Sequence, residues 1–206
     1  MKVLNLYAGI GGNRKLWQNV DVTAIENNPQ IAKIYQDLFP NDKILVKDAH
    51  KFLLNHYKKY DFIWSSPPCP THSDIRRCGV HRGQNEALYP DMKLYEEIIL
   101  LKHFAPKETK WVVENVASYY KPLIKPFVAG RHYFWANFYV PNFGKENQAI
   151  HNEIVGSDII YGFDLNKYDF HDKRKLLRNC VNPELGLHVF ECATKGKQAK
   201  LGDLNG

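Results

Sequence analysis

The chain has 206 residues, enough for one domain with a full hydrophobic core. Its 44% hydrophobic and 24% charged content excludes a disordered or fibrous chain; no apolar run reaches bilayer length and the amino terminus has no signal-peptide pattern, so a cytoplasmic protein without membrane association is expected. The net charge of +6 and pI near 9.0 suit a polyanionic partner, and the spacing of Cys69, Cys78, Cys180 and Cys192 fits neither a zinc ribbon nor a redox pair, which predicts reduced thiols.

Val3-Leu4-Asn5-Leu6 reads as a first strand, and the glycine-rich Tyr7-Ala8-Gly9-Ile10-Gly11-Gly12 leads from it into a helix predicted over 12–19. Val22-Thr23-Ala24-Ile25 is a second strand, ending in Glu26. Pro29 stands where a helix start tolerates proline, and that helix runs to about 38. Ile44-Leu45-Val46 is a short strand just before Asp48, followed by a helix over 49–59. Residues 62–65 form a fourth strand that runs into Ser66-Pro67-Pro68-Cys69. Residues 70–88 are polar and contain Gly79 and Gly83, which reads as a mobile loop. A helix over 91–104 leads to the strand Trp111-Val112-Val113, which ends in Glu114-Asn115-Val116. This βαβ rhythm implies an α/β fold, a mainly parallel sheet with helices on both faces.

After Pro126 the pattern changes. Residues 132–135 and 138–140 are aromatic and β-like, and are expected to close the sheet edge. Residues 142–171 have poor periodicity, 172–194 regain a helical reading broken at Pro183, and 195–206 are expected to fray. The whole of 1–206 is read as a single catalytic domain.

Two strand ends carry the chemistry. Consecutive prolines fix the backbone sharply at the end of the fourth strand and place the thiol of Cys69 on a rigid bend. In open α/β sheets ligands bind at such strand ends. The carboxyl of Glu114 ends another strand, so a nucleophile and an acid/base partner are offered together. At the glycine-rich turn, backbone amides can approach a ligand, and Glu26 at the next strand end can accept ribose hydroxyls. Asp48 reads equally as a ligand acceptor or as the N-cap of the helix that follows.

Ser66-Pro67-Pro68-Cys69 with Glu114-Asn115-Val116 resembles the catalytic motifs of the DNA cytosine-5 methyltransferases. Leu6-Tyr7-Ala8-Gly9-Ile10-Gly11-Gly12 is similar to that family's cofactor loop, and Arg178-Asn179-Cys180-Val181-Asn182-Pro183 to its last motif. The four segments stand in the family's order from residue 3 to about 192. The resemblance implies a Rossmann-like methyltransferase fold using S-adenosylmethionine as cofactor, held by Tyr7, Gly9, Gly11, Glu26, Asp48 and Asn179. It implies Cys69 as nucleophile and Glu114 as the group that stabilises charge on the cytosine ring. The substrate would be a cytosine flipped out of double-stranded DNA. Ser73, Arg76, Arg77 and Arg82 are candidates for phosphate contacts, and Arg131 and His132 for the cytosine carbonyl. Positive charge from these groups is expected to help ionise Cys69.

Three departures stand out. Asn27 occupies a position where many relatives carry a larger apolar residue that packs on adenine. Pro70, Thr71 and His72 replace the glutamine-glycine-phenylalanine pattern common after the cysteine. Residues 142–171 stand where a sizeable target-recognition domain is usual, and about thirty residues cannot bury an independent core. Tyr161, Phe163, Tyr168 and Phe170 are therefore expected to anchor this insert to the catalytic domain, with a second copy or a partner protein supplying further DNA contacts. The competing expectations are an RNA cytosine-5 methyltransferase on the same scaffold and a catalytically silent nucleic-acid-binding homologue.

Overall fold

The computed structural model describes residues 1–143 and 159–195, and for Ile75, Arg76, Ile159 and Ile160 the backbone alone. Residues 144–158 of the expected insert and 196–206 of the expected tail lie outside the described residues. The strands of the main sheet are β1 (Lys2–Leu6), β2 (Asp21–Glu26), β3 (Lys43–Val46), β4 (Phe62–Ser65), β5 (Lys110–Val116), β6 (Phe127–Ala129) and β7 (His132–Ala136). They form one sheet in the order β3-β2-β1-β4-β5-β7-β6. All pairs from β3 to β5 are parallel, while β7 runs antiparallel to both β5 and β6. The fold is Rossmann-like, mainly parallel and covered on both faces, as the sequence implied. The strand order reverses between β1 and β4, so a crevice opens at their carboxyl ends.

Alternating residues divide the core into two layers. Val3, Phe62, Trp64 and Val112 face α1 (Pro29–Leu38) and a carboxyl-terminal helix, while Leu4, Ile63, Trp111 and Val113 face α2 (Ala49–His56) and a long helix following β4. Both faces being buried explains why these strands read as continuous apolar runs. The helices after β4 are α3 (Asp74–His81) and α4 (Lys93–Phe104); those described after β7 are α5 (Lys173–Arg178) and α6 (Pro183–Thr194). No helix among the described residues is long and apolar enough to cross a membrane.

Four local expectations are corrected. The helix predicted over 12–19 is instead a run of tight turns, with Arg14 N donating to Gly11 O at 3.1 Å, Lys15 N to Gly12 O at 3.3 Å and Trp17 N to Arg14 O at 3.0 Å. The backbone of Asn19 turns left-handed at φ 57° and ends the run. Trp17 drops into the core, stacked on Phe190 of α6 at 5.0 Å, with its Nε1 donating to Gly186 O at 3.1 Å. The stretch read as a mobile loop over 70–88 contains α3, whose start is prepared by His72 N and Ser73 N, both donating to Cys69 O. Residues 138–140 leave the sheet, because the Asn137 side chain takes the ladder positions: its Oδ1 accepts from Trp111 N at 3.0 Å and its Nδ2 donates to Thr109 O at 2.8 Å. The edge strand is β6, which the sequence reading missed.

Of residues 142–171, the described part includes a hairpin of β8 (Ile159–Ile160) and β9 (Phe163–Asp164). Phe163 and Leu165 are buried against Ile10 and Ile34, with Leu176, Leu177 and Cys180 completing the cluster and Tyr161, Tyr168 and Phe170 packed around it. Lys15 ties the hairpin down, its Nζ donating to Tyr161 O and lying 4.2 Å from the Phe163 ring centroid.

Candidate active site

The glycine-rich turn leaves β1 with three left-handed residues, Tyr7 at φ 55°, Gly9 at φ 55° and Gly11 at φ 82°. Gly11 has no room for a side chain, since a Cβ there would lie 2.4 Å from the Phe39 ring and 2.9 Å from that of Tyr35. Glu26, buried at the end of β2, holds the turn: its Oε2 accepts from Gly9 N at 3.0 Å and its Oε1 from Asn28 N at 2.9 Å. Tyr7, Gly9, Gly11 and Glu26 thus form one group.

Asp48 at the end of β3 caps α2, its Oδ1 accepting from Lys51 N at 2.9 Å, and this bond holds its carboxyl below the usual range. Asp48 is exposed, and its charge still reaches Tyr7. Asn179 is the exposed C-cap of α5. The next residue, Cys180, packs on Gly12, where an added Cβ would meet Val181 O at 2.5 Å, so the last motif lies against the glycine-rich turn.

The donor set fits S-adenosylmethionine. Glu26 keeps acceptor capacity beyond its two backbone donors, and a Cβ built on Gly9 meets nothing within 4 Å, so the turn faces open space. Asn27, beside Glu26, is exposed.

The second group lies at the ends of β4 and β5. Asn115 joins them, its Nδ2 donating to Pro67 O at 2.9 Å and its Oδ1 accepting from Val116 N at 3.0 Å, so this residue fixes the proline bend. Cys69 is half-buried on that bend. Burial first, and then the negative charge of Glu114, push its thiol pKa up; its own backbone amide and Arg131 pull the other way. The expected positive environment is therefore outweighed, which keeps the resting thiol protonated. Glu114 is 6% exposed and its Oε1 lies 2.6 Å from Nδ1 of His132, itself 5% exposed. The antiparallel β5–β7 pairing sets this contact.

The other sequence-predicted residues are spread more widely. Arg131 is exposed beside the thiol; Ser73 sits at the N-cap of α3 and Arg82 at its C-cap. Arg77 stacks 5.1 Å from the Tyr119 ring centroid and donates to Tyr119 O. The side chain of Arg76 lies outside the described residues. His132 turns inward to Glu114, away from any exposed surface. A cavity of about 220 Å³ lined by Thr71, Ser73, Arg77, Val80, Leu88 and Tyr119 opens on the loop that follows Cys69.

Sequence reasoning missed Glu97. This residue of α4 is fully buried between the ends of β1 and β4. The signal was present: a carboxylate shares the inward stripe of Leu94, Ile98 and Leu101. His72 was noted only as a departure from pattern. Its ring is buried, Nδ1 lying 2.6 Å from the Tyr120 hydroxyl, and burial holds its pKa below the usual imidazole value.

A family model described as C-5 cytosine-specific DNA methylase matches residues 1–122. No curated protein matches the chain. Among solved structures, the chain is similar to a triple mutant of DNMT2 from Spodoptera frugiperda, with 22% identity over 56% of this chain and 35% of that one and a TM-score of 0.38. It is also similar to a putative DNA modification methyltransferase encoded within a prophage of E. coli, with 17% identity over 66% and 46% of the two chains and a TM-score of 0.41. A hypothetical protein of Thermus thermophilus shares 14% identity over 66% and 73%, with a TM-score of 0.45. The chain spans about a third of the DNMT2 structure and less than half of the prophage enzyme.

Proposed function

The chain belongs to the C-5 cytosine-specific DNA methylase family, and from that premise we propose that it methylates carbon 5 of cytosine in double-stranded DNA through a covalent adduct with Cys69. The observation that carries this reading is the pairing of Cys69 and Glu114 at adjacent strand ends, close enough for the carboxylate charge to act on the thiol.

The residues present divide the work. Tyr7, Gly9, Gly11, Glu26, Asp48 and Asn179 are the groups that would hold the cofactor, Glu26 accepting from the ribose hydroxyls and Asp48 from the adenine amino group. S-adenosylmethionine, when bound, supplies the electrophilic methyl group that carbon 5 takes. Cys69 adds as thiolate to carbon 6, which moves the ring electrons toward carbon 5 and makes it enamine-like. Glu114 accepts from the ring's amino group and shares a proton with its third nitrogen, which offsets the charge that addition creates there. Loss of the carbon 5 proton then expels the thiolate and restores the aromatic ring. Because Cys69 rests protonated, a base bound beside it has to displace water and engage Glu114 before the thiol ionises easily, which favours attack on a correctly seated cytosine.

The target carbon lies inside the base stack, so the base is flipped out. Arg131 acts on Cys69 directly, and Ser73, Arg77 and Arg82, on and at the ends of α3, offer polar and positive groups to the strand that carries the base, with Arg76 on the same helix. Residues 142–171 serve as a short recognition insert, and self-association or a partner protein adds DNA contacts beyond it.

The test is transfer of labelled methyl groups from S-adenosylmethionine to duplex DNA and, separately, to RNA. A duplex with 5-fluorocytosine at the methylated position should yield a species surviving denaturation, because fluorine cannot leave as a cation and the adduct persists. Labelled RNA with unlabelled DNA would replace the DNA substrate by RNA. Methylation without a trapped species would remove Cys69 as the nucleophile.

A further inference from the structure

Glu97 is fully buried where the cofactor loop and the catalytic strand meet. Its Oε1 accepts from the Tyr7 hydroxyl at 2.6 Å, and its Oε2 from Ser65 Oγ at 2.5 Å. Tyr7 opens the glycine-rich turn, and Ser65 ends β4, next to Ser66-Pro67-Pro68-Cys69. His50 of α2 brings a third partner, its Nδ1 lying 3.0 Å from Glu97 Oε1 and its Nε2 3.2 Å from Glu96 Oε2. With a carboxylate on each ring nitrogen, both nitrogens act as donors, which is the imidazolium form. The carboxylate is thereby taken out of water with three donors, one of them a cation.

We propose that Glu97, with His50 as its counter-cation, is the positioning residue of the cofactor pocket: it holds Tyr7, and through Tyr7 the glycine-rich turn, in the conformation that receives S-adenosylmethionine. The proposal rests on the cofactor assignment made above. A left-handed tyrosine is strained and persists only where its surroundings hold it; here the hydroxyl is tied to Glu97 while the turn amide of Gly9 is tied to Glu26. Burial and the charge of Glu97 push the Tyr7 phenol far up, so it remains a donor. His50 lies on the helix that Asp48 caps.

The groups acting on His50 come from several elements. Glu97 and Glu96 of α4 raise its pKa, the Glu97 hydrogen bond most, while burial and Lys93 at the start of α4 oppose them. Asp48 lies on its own helix cap, and Asp91 ahead of α4 acts on Tyr7. The net pKa is above the ordinary 6.5. The clasp is therefore complete below that ordinary value and is lost as pH rises through the raised one. Cofactor affinity should weaken over the same interval.

Calorimetric binding of S-adenosylhomocysteine tests this without turnover, on the full chain from about pH 6 to about pH 9. The parent should bind progressively more weakly as pH rises. Tyr7→Phe, which keeps the ring and removes only the hydroxyl, should weaken binding by about tenfold, the effect of losing one hydrogen bond to a charged group. Glu97→Gln should do so at least as strongly. His50→Gln should bind more weakly at low pH and show a flat pH profile. A parent profile without slope, a His50→Gln profile that keeps the parental slope, or a folded Tyr7→Phe within twofold of the parent overturns the positioning role while leaving the cofactor assignment intact. A parent that does not bind S-adenosylhomocysteine overturns both.

Discussion

Arg14 links the glycine-rich turn to the rest of the fold through a buried ion pair, and its removal has a calculable cost. Its Nε and Nη2 reach the two oxygens of Asp42, each at 2.9 Å, and Nη1 donates to Trp17 O at 2.6 Å. The side chains are 12% and 3% exposed. Tyr35 adds one more donor to Asp42, at 2.7 Å. In Arg14→Met the buried carboxylate keeps only that hydroxyl among these side-chain donors, and Trp17 O loses its side-chain donor. Breaking a buried pair from one side costs about 3–5 kcal/mol. At roughly 2–4 °C per kcal/mol for a domain of this size, the melting temperature should fall by about 6–20 °C. Adding Asp42→Asn should recover at least half of the loss, since the uncompensated charge goes while an amide oxygen still accepts from Tyr35. Thermal melts of the parent, the single and the double variants measure both effects. Cofactor titration should follow the same order, because Arg14 N bonds Gly11 O and the turn is continuous with the pair. A single variant melting within 2 °C of the parent (about 1 kcal/mol or less) would refute the reasoning, as would a double variant no more stable than the single one.

Cys69→Ala should abolish methyl transfer yet leave S-adenosylhomocysteine binding within a few-fold, since the turn and Glu26 are untouched; substantial turnover by the purified, folded variant refutes the covalent route. Glu114→Gln should lower turnover by about a hundredfold or more with little change in DNA affinity, as its contribution falls in the transition state; activity within threefold of the parent would show the acid is misplaced. The same substitution removes a negative charge that raises the Cys69 pKa, so the pH of half-maximal alkylation should move down; an unchanged or higher midpoint contradicts that coupling. DNA binding should weaken steeply with salt, and no more than about four base pairs should be specified, because a short insert offers few base contacts worth ~1–3 kcal/mol each. Methylation mapping in an expressing host and a salt series of binding constants check this, and a strict longer site with a shallow salt slope would overturn it.

What could be read from the residues was local. Alternating apolar pairs such as Phe62-Ile63-Trp64 announce a strand buried on both faces, and Pro67-Pro68 announces the bend that presents Cys69. Glycines next to a strand and a carboxyl at the following strand end announce the turn held by Glu26. These signals survive because they are set by backbone sterics within a few residues. Tertiary contacts decided the rest. Residues 12–19 could read as a helix, yet Trp17 is needed in the core against α6, and that packing wins over a short run of weak propensity. His132 faces Glu114 only because β7 turns back antiparallel on β5, a register that the aromatic run at 132–135 does not encode. Asp48 is a cap that also lies within electrostatic reach of Tyr7 in the glycine-rich turn, so its two readings are compatible. Glu97 is the sharpest case: along the sequence it is one more acidic residue on a helix, and its meaning comes from Tyr7, Ser65 and His50, three partners far away in the chain that the parallel sheet and its flanking helices bring to one buried point.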